Sequence, residues 1–215
     1  GGSGARKKLT ETVRDLEQRG LLQYHDRQRR YDLHPVVPGG AAGSMKTEDR
    51  ERYGQLVVDH FSSQSRGLYR QAETVEDLQN GLQVVRTLLK LGHPLQASRF
   101  YHGDFARAPK VNVEAFVEIL SLLRPFFPNG WGELPKAGTD HQFYVRESLR
   151  DSAMEGVLYP HYLANDVATA LSNCGQHHEA LEAYTAVLRF NMSCANSGEI
   201  RLTLRNISRT LLLQN

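Results

Sequence analysis

Cysteine is almost missing: Cys174 and Cys194 are the only two in 215 residues. Two thiols cannot make the framework of a disulfide-dense scaffold. Each follows or ends an apolar helical stretch, where a reduced thiol packs as a small hydrophobe. Long apolar runs are missing too. No stretch approaches the ~18 residues of a membrane span, and no charged-then-apolar leader opens the chain. An excess of one charge is also lacking. The 26 Lys and Arg nearly cancel the 24 Asp and Glu, for a net +2, which argues against general binding to nucleic acid or membrane. No Gly-x-x-x-x-Gly-Lys-Ser/Thr string occurs, so no P-loop is available to cradle phosphates. No nucleophile-elbow string occurs either. These absences lead us to expect a cytoplasmic chain that is not itself an enzyme.

What is present is ordinary globular material: 40% hydrophobic and 23% charged residues, enough to bury a core. Residues 1–5, opening Gly1-Gly2-Ser3-Gly4, read as an appended flexible linker. The amphipathic run Ile200 to Leu213 ends the chain with no closing element, so a fragment of a longer protein is expected. Between these ends, Leu9, Val13 and Leu16 recur at helical spacing over residues 6–20, with Gly20 as the stop. Leu22 and Tyr24, then Tyr31 and Leu33, alternate with polar residues on either side of a polar tip, the pattern of a hairpin ended by Pro35.

The rest reads as helices. Thr47 opens one as an N-cap, with Tyr53, Leu56, Val57 and His60-Phe61 as its stripe. Val84, Val85, Leu88 and Leu91 form the next stripe, ended by Gly92. A further helix runs from Pro94 to about Ala106. Val113, Phe116, Val117, Leu120 and Leu123 form another. Helices are also expected at 141–157, 161–174, 177–192 and 199–213.

A repeat underlies this series. Val85, Leu88, Gly92, Ala97 and Tyr101 fall at spacings of 3, 4, 5 and 4, and Ala168, Leu171, Gly175, Ala180 and Tyr184 reproduce them. Ser208, Leu211 and Asn215 begin a third copy. Glycine at the break permits the left-handed residue that ends a helix. The alanines let paired helices approach, and the tyrosines fill space against the next pair. Neither pair can bury its face alone, so neighbours must stack.

This pattern, best seen in Asn173-Cys174-Gly175-Gln176 through Glu179-Ala180-Leu181 to Tyr184, resembles the tetratricopeptide repeat. The string Leu16 to Leu22, followed by Arg30-Tyr31-Asp32-Leu33-His34-Pro35, resembles the winged-helix domain of STAND-class NTPases, which include the NB-ARC proteins. The combined resemblance implies a mainly α chain: residues 6–45 the closing part of a winged helix (helix plus β-hairpin), residues 46–215 a tetratricopeptide-like α-solenoid. It further implies a ligand- or protein-sensing, autoinhibitory segment, non-catalytic by itself. ADP or ATP would be bound in the full-length parent, where His34 would contact the ADP phosphate and the segment would meet its own nucleotide-binding domain. An imidazole suits that role as a donor that is chargeable near neutrality.

In tetratricopeptide arrays the first helix of each pair lines the concave face. The resemblance therefore assigns partner binding to Arg86, Lys90, Tyr162, Asn165, Thr169, Asn173, Arg205 and Arg209. Four cations among amides and hydroxyls suit a protein or peptide partner, in particular an acidic one. Two other readings stand beside this one. Residues 6–36 carry eight basic against five acidic side chains, so a DNA-binding winged-helix regulator with a helical effector domain is one alternative. A tetratricopeptide scaffold without switching is the other. Adjacent His177 and His178 point in different directions on a helix, and no metal site is expected. Trp131 is read as a plug between helix pairs.

Overall fold

The computed structural model describes residues 2–18, 22–25, 30–33, 45–64, 69–135 and 160–214. The fold is mainly helical, and it divides into two compact units, residues 1–53 and 54–215. Among the described residues no helix is long and apolar enough to cross a membrane.

In the first unit, helix α1 spans Gly2–Gln18. It starts earlier than the sequence suggests, because residues read as a linker are helical. Once a helix is nucleated each further residue adds a bond, so a weak former such as glycine can be carried along. Strands β1 (Leu22–His25) and β2 (Arg30–Leu33) pair antiparallel, with Leu22 opposite Leu33 and Tyr24 opposite Tyr31. A helix and one hairpin do not define a winged helix, so that assignment rests on the sequence resemblance alone. His34, Gly20 and the segment 36–44 lie outside the described residues.

Helix α2, Thr47–Gln64, begins in the first unit and ends in the second. Its covered side differs from the expected stripe. Tyr53, Leu56 and His60 are exposed, whereas Val58 is buried and Val57 and Phe61 are half-buried. The apolar residues of this helix surround more than one face, so periodicity could not single out the covered one.

The second unit is a series of short packed helices. Helix α3 (Val75–Lys90) opens with a capping box: the Asp77 amide donates to Thr74 Oγ1, and the Thr74 amide donates to the Asp77 carboxylate at 2.9 Å. Helix α4 (Pro94–Phe100) follows after Gly92. The chain then widens into π-helical turns at Tyr101–Phe105 and Ala108–Asn112, with Gly103 at φ −66° and ψ −118°. A continuous helix to Ala106 is therefore not formed. The wider turn lets both Tyr101 and Phe105 be buried completely. Phe105 meets Tyr69 edge-on at 5.0 Å.

Helix α5 is short, Phe116–Leu123. Its buried residues are Ile119, Leu122 and Leu123, while Val117, expected inside, is 66% exposed. Helices α6 (Pro160–Asn173), α7 (His177–Ser193) and α8 (Ser197–Leu213) complete the unit, and α5, α6, α7 and α8 pack in chain order. The helix expected over 141–157 and the residue Asn215 lie outside the described residues.

The repeated residues do what their spacing implies. Val85, Ala97, Tyr101, Ala168, Leu171 and Ala180 are fully buried, and Leu88 and Tyr184 nearly so. Gly92 and Gly175 have φ of +80° and +77°. In both turns the glycine amide reaches back to a carbonyl, Leu89 at 3.1 Å and Ser172 at 3.2 Å. The next amide reaches Leu88 and Leu171, each at 2.9 Å. These are Schellman closures, and the leucine of the repeat supplies the deeper carbonyl. The turn between α7 and α8 repeats the geometry with Ala195, at φ +53°. There the amides of Ala195 and Asn196 reach Met192 at 3.2 Å and Asn191 at 3.0 Å.

Candidate functional site

Helix α6 has one open stripe. Leu163, Ala164, Val167, Ala168, Ala170 and Leu171 are buried, leaving Tyr162 and Asn173 exposed and Asn165 and Thr169 half-buried. These last four are the α6 residues assigned to a partner from the sequence. Thr169 Oγ1 donates to the Asn165 carbonyl at 2.8 Å, and Asn173 Nδ2 donates to the Thr169 carbonyl at 2.8 Å. Thr169 and Asn173 are thus each tied to the backbone one turn earlier, as successive rungs of a ladder.

The ladder continues onto the next helices. Thr169 Oγ1 and the Tyr184 hydroxyl of α7 share a hydrogen bond at 3.1 Å. Burial raises the Tyr184 phenol above its usual range, while the Thr169 bond and the charge of Arg209 pull it back. Arg209 of α8 therefore belongs to the same neighbourhood. It and Arg205 are both exposed. Side chains pin α8 in place: Ser172 Oγ lies 3.1 Å from Thr210 Oγ1, and Asn191 Nδ2 donates to Thr203 Oγ1 at 3.3 Å.

Arg86 and Lys90 sit one turn from each other on α3, half-buried and exposed respectively.

A buried polar cluster beneath the stripe was missed by the sequence reading. Asp166 of α6 is 4% exposed. It accepts from Lys110 Nζ at 2.6 Å and from the Tyr101 hydroxyl at 3.3 Å. Burial, and next the Asp166 charge, push the Tyr101 phenol well above its usual range. Two histidines lie close by. His161 stacks on Phe190 at 4.8 Å and 19°, and burial with the neighbouring His102 lowers it to about 4. His102 meets the Tyr162 ring edge-on at 6.0 Å and is lowered by burial, with Asp166 and Lys110 acting in opposite directions. The one sequence signal was an acid inside the apolar run Leu163 to Ala168. Its partners lie too far away along the chain for spacing to suggest them.

Trp131 packs against the buried Phe127 at 5.2 Å, and the Arg124 guanidinium covers its ring at 4.8 Å. It lines an open cleft of about 600 Å³ with Leu181, Glu182 and Arg189 of α7. Among the described residues no three His, Cys, Asp or Glu side chains converge to hold a metal ion. The Cys174 and Cys194 thiols are free and half-buried. Comparison with protein-family models, with curated proteins and with solved structures returns no match.

Proposed function

We propose that the helical series of residues 54–215 is a partner-binding repeat segment, and that its binding face runs along the open stripe of α6 to Arg205 and Arg209 of α8. The single observation that carries this is the ladder Asn165–Thr169–Asn173 joined to Tyr184. It holds the Thr169 and Tyr184 hydroxyls and the Asn173 amide in fixed positions, near the exposed Arg209 whose charge acts on Tyr184, an arrangement that suits an acidic peptide.

The wider setting we propose is the sensor and autoinhibitory part of a cytoplasmic STAND-type signalling NTPase with tetratricopeptide-like repeats, non-catalytic by itself. His34 would then contact an ADP phosphate only in a parent that supplies the nucleotide-binding domain. A trigger bound to the repeats can shift the resting state only by its preference between the two states. An upstream reading frame without a P-loop would remove this setting.

The binding face is tested with a fluorescein-labelled peptide of mixed Asp, Glu and Leu, read by anisotropy. The expected result is saturable binding that falls about tenfold in Arg205→Glu/Arg209→Glu, with the helical circular-dichroism signal unchanged. Equal affinity in the double variant would place binding elsewhere.

A further inference from the structure

Helix α8 carries a third arginine that the repeat resemblance did not assign. Arg201, Arg205 and Arg209 follow one another at four-residue steps, and all three are exposed. Glu199, in the first turn, is the only acid on this helix. Among the described residues none of the three arginines has an ion-pair partner. The rise of a helix separates successive guanidinium stems by about 6 Å, so the ladder spans about 12 Å. Leu212, 76% exposed, lies three residues beyond Arg209, where it shares that side of the helix.

In an extended chain, side chains on the same side recur every second residue, about 6.6 Å apart. Three carboxylates at alternate positions span about 13 Å, close to the rise of the arginine ladder, and the long arginine side chains take up the helix's turn of about 40° per four-residue step. We infer that α8 recognises an extended acidic segment of a partner protein, with carboxylates at alternate positions facing Arg201, Arg205 and Arg209 and a large apolar residue against Leu212. This deepens the acidic-partner reading and rests on it. Phosphates along a nucleic-acid strand have a similar spacing. But a bare leucine on the basic side, in a chain of net charge only +2, favours a polypeptide that brings its own apolar side chain.

The test uses three labelled probes on the full chain: a peptide with Glu at alternate positions followed by Leu, a peptide of the same composition with the Glu contiguous, and a 12-nucleotide single-stranded DNA. The expected order is alternating peptide first, about fivefold tighter than the contiguous one, with the oligonucleotide weakest. Arg201→Ala lowers affinity for the alternating peptide about threefold, and Leu212→Ala lowers it only when the probe carries Leu. Circular dichroism of these two surface variants should match the parent. Equal binding of the two peptides, both lost in Arg205→Glu/Arg209→Glu, overturns the ladder while leaving the acidic-partner reading in place. Binding of neither peptide overturns both. Tightest binding of the oligonucleotide overturns the inference in favour of nucleic acid.

Discussion

Lys110 sets its ammonium 2.6 Å from a carboxylate oxygen of Asp166, although 56 residues separate them in the chain. The carboxylate is almost wholly buried and the lysine is one-third exposed. The pair ties the π-helical turn after α4 to the middle of α6. Desolvating Asp166 is costly, so the fold depends on its partners staying in place.

Lys110→Met should therefore lower stability by about 2 kcal/mol, less than a fully buried pair would cost, because the Tyr101 hydroxyl remains on the carboxylate and Lys110 is partly solvated. Lys110→Met/Asp166→Leu should recover much of the loss, since no buried charge is left alone. Urea unfolding of the three proteins measures this. A single variant as stable as the parent would show that the pair carries no load.

Ala195 and Gly175 hold the same left-handed backbone with opposite fitness for it. No side chain crowds Gly175, so the conformation itself decides. Ala195→Gly should raise stability by about 1 kcal/mol, and Gly175→Val should lower it by about 2 kcal/mol. Thermal melts that move in the same direction for both would contradict the Schellman geometry.

His161 makes stability depend on pH. Its folded value of about 4 lies below the ordinary 6.5. Below pH 6.5 the unfolded chain binds a proton that the folded chain refuses, so stability falls on acidification and is fully present above that pH. The loss reaches about 2 kcal/mol by pH 5, and His102, lowered in the same direction, adds to it. His161→Phe keeps a ring against Phe190 and should flatten the slope between pH 7 and pH 5 in urea titrations. An unaltered slope would mean that His161 takes up its proton alike in the folded and unfolded chains.

Thr74→Ala removes the side chain that receives the Asp77 amide. A loss of about 1 kcal/mol in urea is expected. An undiminished midpoint would show that water caps α3 equally well.

Much of the candidate site was legible because it lies on one helix. The stripe Tyr162, Asn165, Thr169 and Asn173 follows from helical spacing once α6 is recognised, and α6 is bounded by Gly175, which spacing also reveals. Arg201 and Leu212 sat in plain view but match no repeat position, so a template could not select them. Lys110 and Asp166 were illegible for a different reason: spacing carries information only over a few turns, and their meeting depends on the π-helical turn.

The sequence by itself determined the helix breaks at Gly92 and Gly175, because a left-handed glycine acts within a few residues of the chain. It also determined the buried positions of the repeat, where small residues and tyrosine are the shapes that packed helix pairs accept. Tertiary structure alone decided which side of α2 and α5 was covered, leaving Tyr53 and Val117 outside. It alone brought Lys110 to Asp166 and Arg209 beside Tyr184. Local pattern can mark an apolar face or an ionisable side chain, but only the neighbours that fold against it remove water or supply the opposite charge.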